Sequence, residues 1–332
     1  MRLSAQRTFD GIFPRLTGRA VACGPLMAAD HLAFLLNRPV NRVGSDGSLM
    51  AEGLLAAQSL YRSDFVVVFA DVYVEAEALG ARLEYYPDRN PQPTSYLMPE
   101  RVEFTDITER GRVPELLRAA DICRAELGSD FPVFYSLKDP FSLAALVVGP
   151  ERFLDALLSE LQMADSLLRT CLAVQVGLME VVCSRGFIPL VGAPFASGSL
   201  LGPDLFRRFV LPNLLLLFDV ITKRGSFRCL HLCGKIGNLS EVLPELNLDL
   251  LSFEEFVPAM WERMPETIPM GFVPTELFAG KDVLKVEQSV DACLAVMPRP
   301  ALLASACDLP ANANPDLVKA MTLRCRGDCA KG

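Results

Sequence analysis

From about residue 130 onward the chain alternates short apolar runs with longer amphipathic segments, and this alternation restricts the folds open to it. Phe131 to Ser136 reads as a strand, Glu151 to Gln175 as a helical region, and Phe187 to Val191 as the next strand. A helix follows from Asp204 to Lys223, opened near Gly202-Pro203, and then a strand from Arg228 to Cys233. Leu239 to Leu246 reads as a short helix, with Leu248 to Phe253 and Ile268 to Val273 as strands. Val286 to Val296 is expected as a helix, Ala301 to Ala306 as a last strand, and Pro315 to Leu323 as a closing helix. Strands separated by helices run parallel, joined by right-handed crossovers. With earlier strands near Ala20 to Cys23 and Phe65 to Phe69, the count approaches eight. The natural closure is an α/β fold, a TIM-type (β/α)8 barrel, expected as a single domain over residues 1–332 with its core at about 19–324 and N-terminal additions before it. Arg82 to Tyr86 and Arg101 to Phe104 flank a Pro/Asn-rich segment, so residues 82–105 are expected to leave the barrel as a hairpin excursion.

At 332 residues and 51% hydrophobic, the chain can bury a large core. Its net charge of −8 gives nucleic acid no electrostatic footing, so no nucleic-acid partner is expected. Met1 to Leu16 lacks the apolar core of a signal peptide. The longest apolar stretch, around Leu214 to Phe218, falls far short of the roughly 20 residues a span requires, so no membrane segment is expected. Ten cysteines scattered without an export signal read as reduced thiols in the cytoplasm. The tail Cys325-Arg326-Gly327-Asp328-Cys329 has a metal- or disulfide-compatible spacing but is expected to be a frayed, solvated end.

The chemistry concentrates at His231-Leu232-Cys233-Gly234, where an apolar run opens into a loop. In an extended strand, residues two apart face the same side, about 6.6 Å apart at the backbone. One imidazole and one thiol then point the same way, a donor mixture that zinc favours. Cys307, at the end of the last apolar run, supplies a third ligand. Three protein ligands leave one position open, as in catalytic zinc sites. Cys229 shares the face, but four residues of strand span about 13 Å, too far for both Cys229 and Cys233, and Cys229 is assigned to the core. Cysteines beside a histidine are commonly just buried side chains. The barrel argues otherwise, because His231, Cys233, Cys307, Glu254 and Glu255 all fall where strands end and βα loops begin, the side that carries active groups.

The motifs resemble those of a known family. Val68 to Gly80, with Asp71 and Glu75, is similar to an acidic segment after an early strand. Asp139-Pro140-Phe141-Ser142-Leu143-Ala144 is similar to a Gly-Pro-Phe-Ser/Thr-x-Ala turn. With His231-Leu232-Cys233-Gly234, the acidic strand end Leu250 to Glu255, and Cys307-Asp308-Leu309-Pro310, these resemble the uroporphyrinogen decarboxylase superfamily over about Arg38 to Met321. The branch they resemble is that of zinc-dependent corrinoid:thiol methyltransferases, such as methylcobamide:coenzyme M methyltransferases. The resemblance implies Zn²⁺ on His231, Cys233 and Cys307 at a barrel mouth, a small thiol at the open position, and a corrinoid-binding partner protein presenting methylcobalamin. It further implies that Glu254 or Glu255, the latter aligning better, binds the zinc without substrate or takes the thiol proton. Asp71 stands at the decarboxylase branch's substrate-handling aspartate, and here lines the mouth or caps a helix. His31 reads as a surface or helix-face histidine.

The departures are informative. The Arg-rich N-terminal motif and the C-terminal histidine of true decarboxylases are missing, and a −8 chain without that cluster is a poor host for an octacarboxylate, so decarboxylation is disfavoured. Met270-Gly271-Phe272-Val273-Pro274 replaces a Gly-Asn-x-Asp-Pro pattern, and Asp139 stands where glycine is usual, changes that bear on the substrate more than on the metal. Two other readings remain open: methyl transfer from an O- or N-methyl substrate onto the corrinoid, and a non-catalytic corrinoid- or thiol-binding module.

Overall fold

The computed structural model describes residues 3–329. The strands in chain order are β1 (Val21–Cys23), β2 (Val66–Val68), β3 (Arg82–Glu84), β4 (Gln92–Ser95), β5 (Val133–Lys138), β6 (Ile188–Gly192), β7 (Cys229–Leu232), β8 (Leu250–Phe253), β9 (Ile268–Val273) and β10 (Ala301–Ser305). Eight of them form one sheet in the order β1-β10-β9-β8-β7-β6-β5-β2. Every ladder in it is parallel. Its two outer strands, β1 and β2, are brought together by the loop ahead of β2. Asp64 N–H donates to the Cys23 carbonyl at 2.8 Å, and the Asp64 carboxylate accepts Cys23 N–H at 2.9 Å. Ala29 N–H donates to the Ala70 carbonyl at 3.0 Å further along the seam. The sheet therefore curls until its edges meet, which is the TIM-type arrangement.

Because side chains alternate across a strand, each strand sends one stripe inward and one towards the outer helices. Low in the barrel the inward stripes are apolar: Phe65, Phe134, Leu190, Cys229, Leu250, Ile268 and Leu302 form one buried cluster. Phe9 and Ile12 of the N-terminal helix Ala5–Ile12, and Phe13 that caps it, belong to that same cluster. The sequence additions before β1 thus plug the barrel floor, with Phe9 and Ile12 at helical spacing on one face and Phe13 following at the cap. Two residues further along β5, β7 and β8 the stripe turns polar: Phe134 gives way to Ser136 and Lys138, Cys229 to His231 and Leu250 to Ser252, while Val67, Met270 and Ala304 keep it apolar on β2, β9 and β10. The polar stripe lies at the C-terminal ends, where a barrel carries its chemistry.

Several elements differ from the sequence expectation. The hairpin exists, but its second strand is Gln92–Ser95, pairing antiparallel with Arg82–Glu84, and not residues 101–104. The Pro/Asn-rich stretch supplies that strand because an edge tolerates Pro93, which has no N–H to give. Residues 151–175 fall into two helices, Pro150–Ser159 and Leu161–Ser184. The helix expected at 204–223 is interrupted by a π-turn at Phe206–Val210 just before Pro212, where the proline ring cannot coexist with an ordinary i→i−4 bond. The expected helix at 239–246 is two 3₁₀ turns, Gly237–Leu239 and Leu243–Leu246. The closing helix continues to Cys329, and Cys325 is buried in it, so that end is not solvated as expected. Helices Ala29–Leu36, Gly47–Tyr61 and Val113–Leu127 join the outer layer.

Leu161–Ser184 is long and apolar enough by composition to cross a membrane, a segment the sequence reading passed over. Its place accounts for its character. It packs on β5 and β6 and on the helices Pro140–Val148 and Leu211–Lys223, as a crossover helix of the barrel wall.

Candidate metal centre

Three donors meet where β7 and β10 end. Cys233 Sγ lies 3.2 Å from His231 Nε2, Cys307 Sγ lies 3.6 Å from that nitrogen, and the two sulfurs are 4.0 Å apart. A tetrahedral zinc with bonds of about 2.3 Å to sulfur and about 2.05 Å to nitrogen sets S–S edges of about 3.8 Å and N–S edges of about 3.6 Å. Each observed edge is within a few tenths of an ångström of that figure. The donor chemistry and the spacing both fit Zn²⁺, and the fourth vertex has no side chain from this trio.

The backbone explains the convergence. β7 directs His231 inward, and the chain must leave the strand immediately after Cys233. Gly234 makes that turn at φ +68°, with Ser199 Oγ only 3.0 Å from where a Cβ would sit. His231 Nδ1 faces Ser252 Oγ of the adjacent strand at 2.8 Å. With Nδ1–H donating to that hydroxyl, the Nε2 lone pair is presented to the sulfurs. In the register of the sheet His231 pairs with Ser252, so this support is built into the strand alignment.

Without a cation the cluster is a poor anion. The hydrogen bond with Cys233 and burial push the Cys307 thiol well above its ordinary pKa. Burial works against a charged His231, but the Cys307 sulfur and the Asp308 and Glu254 carboxylates outweigh it and raise the imidazole pKa. Burial raises Asp308 to about 6. A dication reverses this logic, since it stabilises thiolate and neutral imidazole together.

The carboxylates named from sequence separate. Glu254 stands just past the end of β8, and it acts electrostatically on both His231 and Asp308. Glu255 is turned the other way: its Oε2 accepts Ile236 N–H and Gly237 N–H, each at 2.9 Å, tying down the loop after Cys233. Asp71 is not brought to the trio. Its carboxylate is gripped by Arg112, Nη1 at 2.5 Å and Nη2 at 3.2 Å, while Arg112 Nε reaches Glu77 at 2.6 Å. His31 stands on the helix Ala29–Leu36, one of the two expected settings, but it is fully buried and not at the surface, with Nε2 2.8 Å from the Tyr61 hydroxyl and Nδ1 3.2 Å from the Ala311 carbonyl. Cys229 lies buried in the barrel interior, as expected of a core cysteine.

A cavity of about 60 Å³ opens beside the trio, lined by His231, Cys233, Cys307 and Asp308, by Ser136 and Lys138, and by apolar residues including Phe69 and Leu190. Three of the polar groups escaped the sequence reading: Ser252, Asp308 and Lys138. The available signals were positional. Ser252 sits in the strand that ends in the acidic pair, Asp308 directly follows a candidate ligand, and Lys138 is a charge closing an apolar strand.

The sequence profile described as Uroporphyrinogen decarboxylase (URO-D) matches residues 32–327. A methylated-thiol–coenzyme M methyltransferase of Methanosarcina mazei is 28% identical over 70% of this chain and 64% of its own length. A methylcobamide:CoM methyltransferase of Methanosarcina barkeri is 25% identical over 62% of each chain. The alignment thus spans somewhat less than two thirds of the length of these curated relatives. A uroporphyrinogen decarboxylase of Corynebacterium diphtheriae is 24% identical over 72% of this chain and 71% of its own. Among solved structures, a methyltransferase from Methanosarcina mazei superposes with a TM-score of 0.86 over 98% of this chain and 99% of its own, at 20% identity, which supports the barrel fold.

Proposed function

The chain belongs to the uroporphyrinogen decarboxylase family, and within that family we propose that it is a zinc-dependent methyltransferase moving a methyl group between a corrinoid protein and a small thiol. The observation that carries this reading is the tetrahedral fit of His231, Cys233 and Cys307, open on one side to a cavity. The names of the methylcobamide- and thiol-using relatives support the choice of methyl donor and acceptor.

His231, Cys233 and Cys307 would hold Zn²⁺, which when bound keeps a thiol at its fourth position deprotonated yet nucleophilic at neutral pH. The two protein thiolates offset the metal's charge and the neutral imidazole adds none, so the sulfur stays electron-rich. Ser252 fixes the imidazole. Glu254, just past β8 and electrostatically felt by His231, is the carboxylate we assign to receive the thiol proton, while Glu255 and Asp71 hold the loops around the mouth. A methylcobalamin would supply the methyl group to the thiol sulfur, its cobalt keeping the electron pair of the Co–C bond. A methylcobalamin-bearing partner would dock over the C-terminal face of the barrel. The cavity has room for a few heavy atoms, which favours a small acceptor over a tetrapyrrole.

The purified protein should contain about one zinc per chain, lost from His231→Ala and Cys307→Ser variants, as a three-ligand site requires. Mixed with methylcobalamin and a thiol, it should shift the cobalamin spectrum from the methylated to the demethylated form. A metal-free protein that leaves methylcobalamin unchanged with every thiol overturns the proposal. Methylation of a Co(I) corrinoid by an O- or N-methyl donor would reverse the direction of transfer, and binding without turnover in either direction would make the chain a binding module.

A further inference from the structure

The three donors reach the mouth by two routes. His231 and Cys233 share one strand and its exit, whereas Cys307 comes from the loop after β10, and β8 and β9 separate β10 from β7 in the sheet. The place of the third sulfur is therefore decided by whatever fixes the loop 306–314. Upstream of Cys307 the barrel does so, since Ala306 N–H donates to the Val273 carbonyl at 2.8 Å. Downstream the anchors come from the segment after β1. Leu26 N–H donates to Ser305 Oγ at 2.9 Å, and the Leu26 carbonyl accepts Leu309 N–H at 2.9 Å. Pro310 has no N–H to contribute. The next anchor is a side chain: His31 Nδ1 lies 3.2 Å from the Ala311 carbonyl, four residues past Cys307.

The surroundings of His31 leave its ring one role. It is 0% exposed. A carbonyl can only accept, so the proton sits on Nδ1, and Nε2 is left to accept from the Tyr61 hydroxyl at 2.8 Å. Burial lowers the imidazole pKa and so favours this neutral form. Phe34 and Tyr61 stack on the ring, each with its centroid 6.0 Å away. Tyr61 is held in turn, because its carbonyl accepts the Thr322 hydroxyl of the closing helix at 2.7 Å. Both ring nitrogens are thus spent on protein partners, and the imidazole acts through the loop it grips.

We propose that His31 is a positioning residue for the metal centre: through the Ala311 carbonyl it holds the loop that delivers the Cys307 sulfur to His231 and Cys233. The inference rests on the zinc reading above and extends it to a residue outside the donor trio.

Zinc affinity, by competition with a chromophoric chelator, is compared in wild type, His31→Leu, His31→Asn and Phe9→Leu, the last a core variant at the barrel floor. Losing one buried anchoring hydrogen bond is expected to weaken zinc by about 5- to 10-fold in His31→Leu. Asn places an amide nitrogen near the position of Nδ1, so His31→Asn should recover much of that loss. Phe9→Leu should bind zinc as the wild type does. With Co²⁺ in place of zinc, thiolate-to-cobalt absorption should weaken in His31→Leu and not in Phe9→Leu. A further readout needs neither metal nor turnover: in the zinc-free protein, amide hydrogen exchange at Leu309 should be at least about fivefold faster in His31→Leu, with β7 unchanged. An unaltered zinc affinity in a folded His31→Leu overturns the inference, as does an equal loss in Phe9→Leu, or a loss in His31→Asn as large as in His31→Leu. Should the wild type bind no zinc, the zinc reading falls, and exchange at Leu309 alone decides whether His31 holds the loop. If His31→Leu does not fold, His31→Asn is set against His31→Gln, whose amide lies beyond the Nδ1 position. Tighter zinc in His31→Asn supports the inference, and an equal or reversed order overturns it.

Discussion

In the proposed zinc site, Ser252 is a neutral residue that would govern how the metal is held. It offers the ion nothing directly, but its hydroxyl sets which imidazole nitrogen faces the two sulfurs. Outer partners of this kind are worth about 10- to 100-fold in metal affinity. Ser252→Ala should therefore weaken zinc binding by that factor in competition with a chromophoric chelator, with Ser252→Thr retaining most of it. An unchanged affinity would remove Ser252 from the site. Asp139 carries a different residue-scale prediction. It is fully buried, and its carboxylate accepts Phe141 N–H and Ser142 N–H at the start of the helix Pro140–Val148. Burial raises its pKa from 3.8 to about 6. The folded state thus binds this proton more tightly than the unfolded chain. The resulting stability is full below about pH 4 and is lost as pH rises through about 6, by an upper bound of about 3 kcal/mol at about 1.4 kcal/mol per pH unit. Asp139→Asn keeps a capping oxygen without the charge, so relative to wild type it should be more stable at pH 7.5 than at pH 4.5 in urea unfolding. A difference independent of pH would refute the assignment. At this scale the three donors were legible because two-residue spacing and a following loop bring donors to one end of a barrel. Glu254 was not separable from Glu255 until Glu255 was found bonded to Ile236 and Gly237, and the buried setting of His31 depends on Tyr61 and Ala311, the latter 280 positions away.

At the level of elements, the alternation of apolar runs and amphipathic segments predicts the parallel barrel because a buried strand and its crossover helix leave different periodicities in the sequence. It fails where proline and short-range geometry decide: at the hairpin's second strand, at the π-turn ahead of Pro212, and at the 3₁₀ turns around Pro244. The N-terminal helix was legible only as an addition. Its task appears when the Phe9 ring packs, tilted, with its centroid 5.0 Å from that of Phe13 and both join the cluster with Phe65 and Phe134 under the barrel. Phe9 is 0% exposed, so Phe9→Ala should cost about 3–5 kcal/mol in guanidinium unfolding. Zinc content should be unchanged, because the floor and the mouth are separate layers of the interior. A stability loss under about 1 kcal/mol would mean that the helix only rests against the barrel, and loss of zinc would mean that the two layers are coupled.

For the whole molecule, the same separation decides how metal and fold depend on each other. The donors come from the end of β7 and the loop after β10, while the core that holds those elements consists of apolar faces on both sides of eight parallel strands. Hydrophobic burial on that scale does not wait for an ion, in contrast to small zinc domains that are unfolded without one. The chelated protein should keep its far-ultraviolet circular dichroism and a cooperative thermal transition. Zinc at about 100 times its Kd should add about 2.7 kcal/mol, seen as a rise of a few degrees in Tm for a chain of this length. The pH dependence of that rise follows from the protons held by the empty cluster. Cys307 and His231 both have raised pKa values without the ion. Zinc binds their deprotonated forms, so loading releases protons, and each proton released makes the apparent affinity grow by up to about tenfold per pH unit. Scanning calorimetry at fixed free zinc should therefore give a larger zinc-induced rise in Tm at pH 8 than at pH 6.5. A chelated chain without secondary structure at 25 °C would mean that the site is structural. A zinc effect that shrinks as the pH increases would mean that the ion is held by groups other than these thiols and this imidazole.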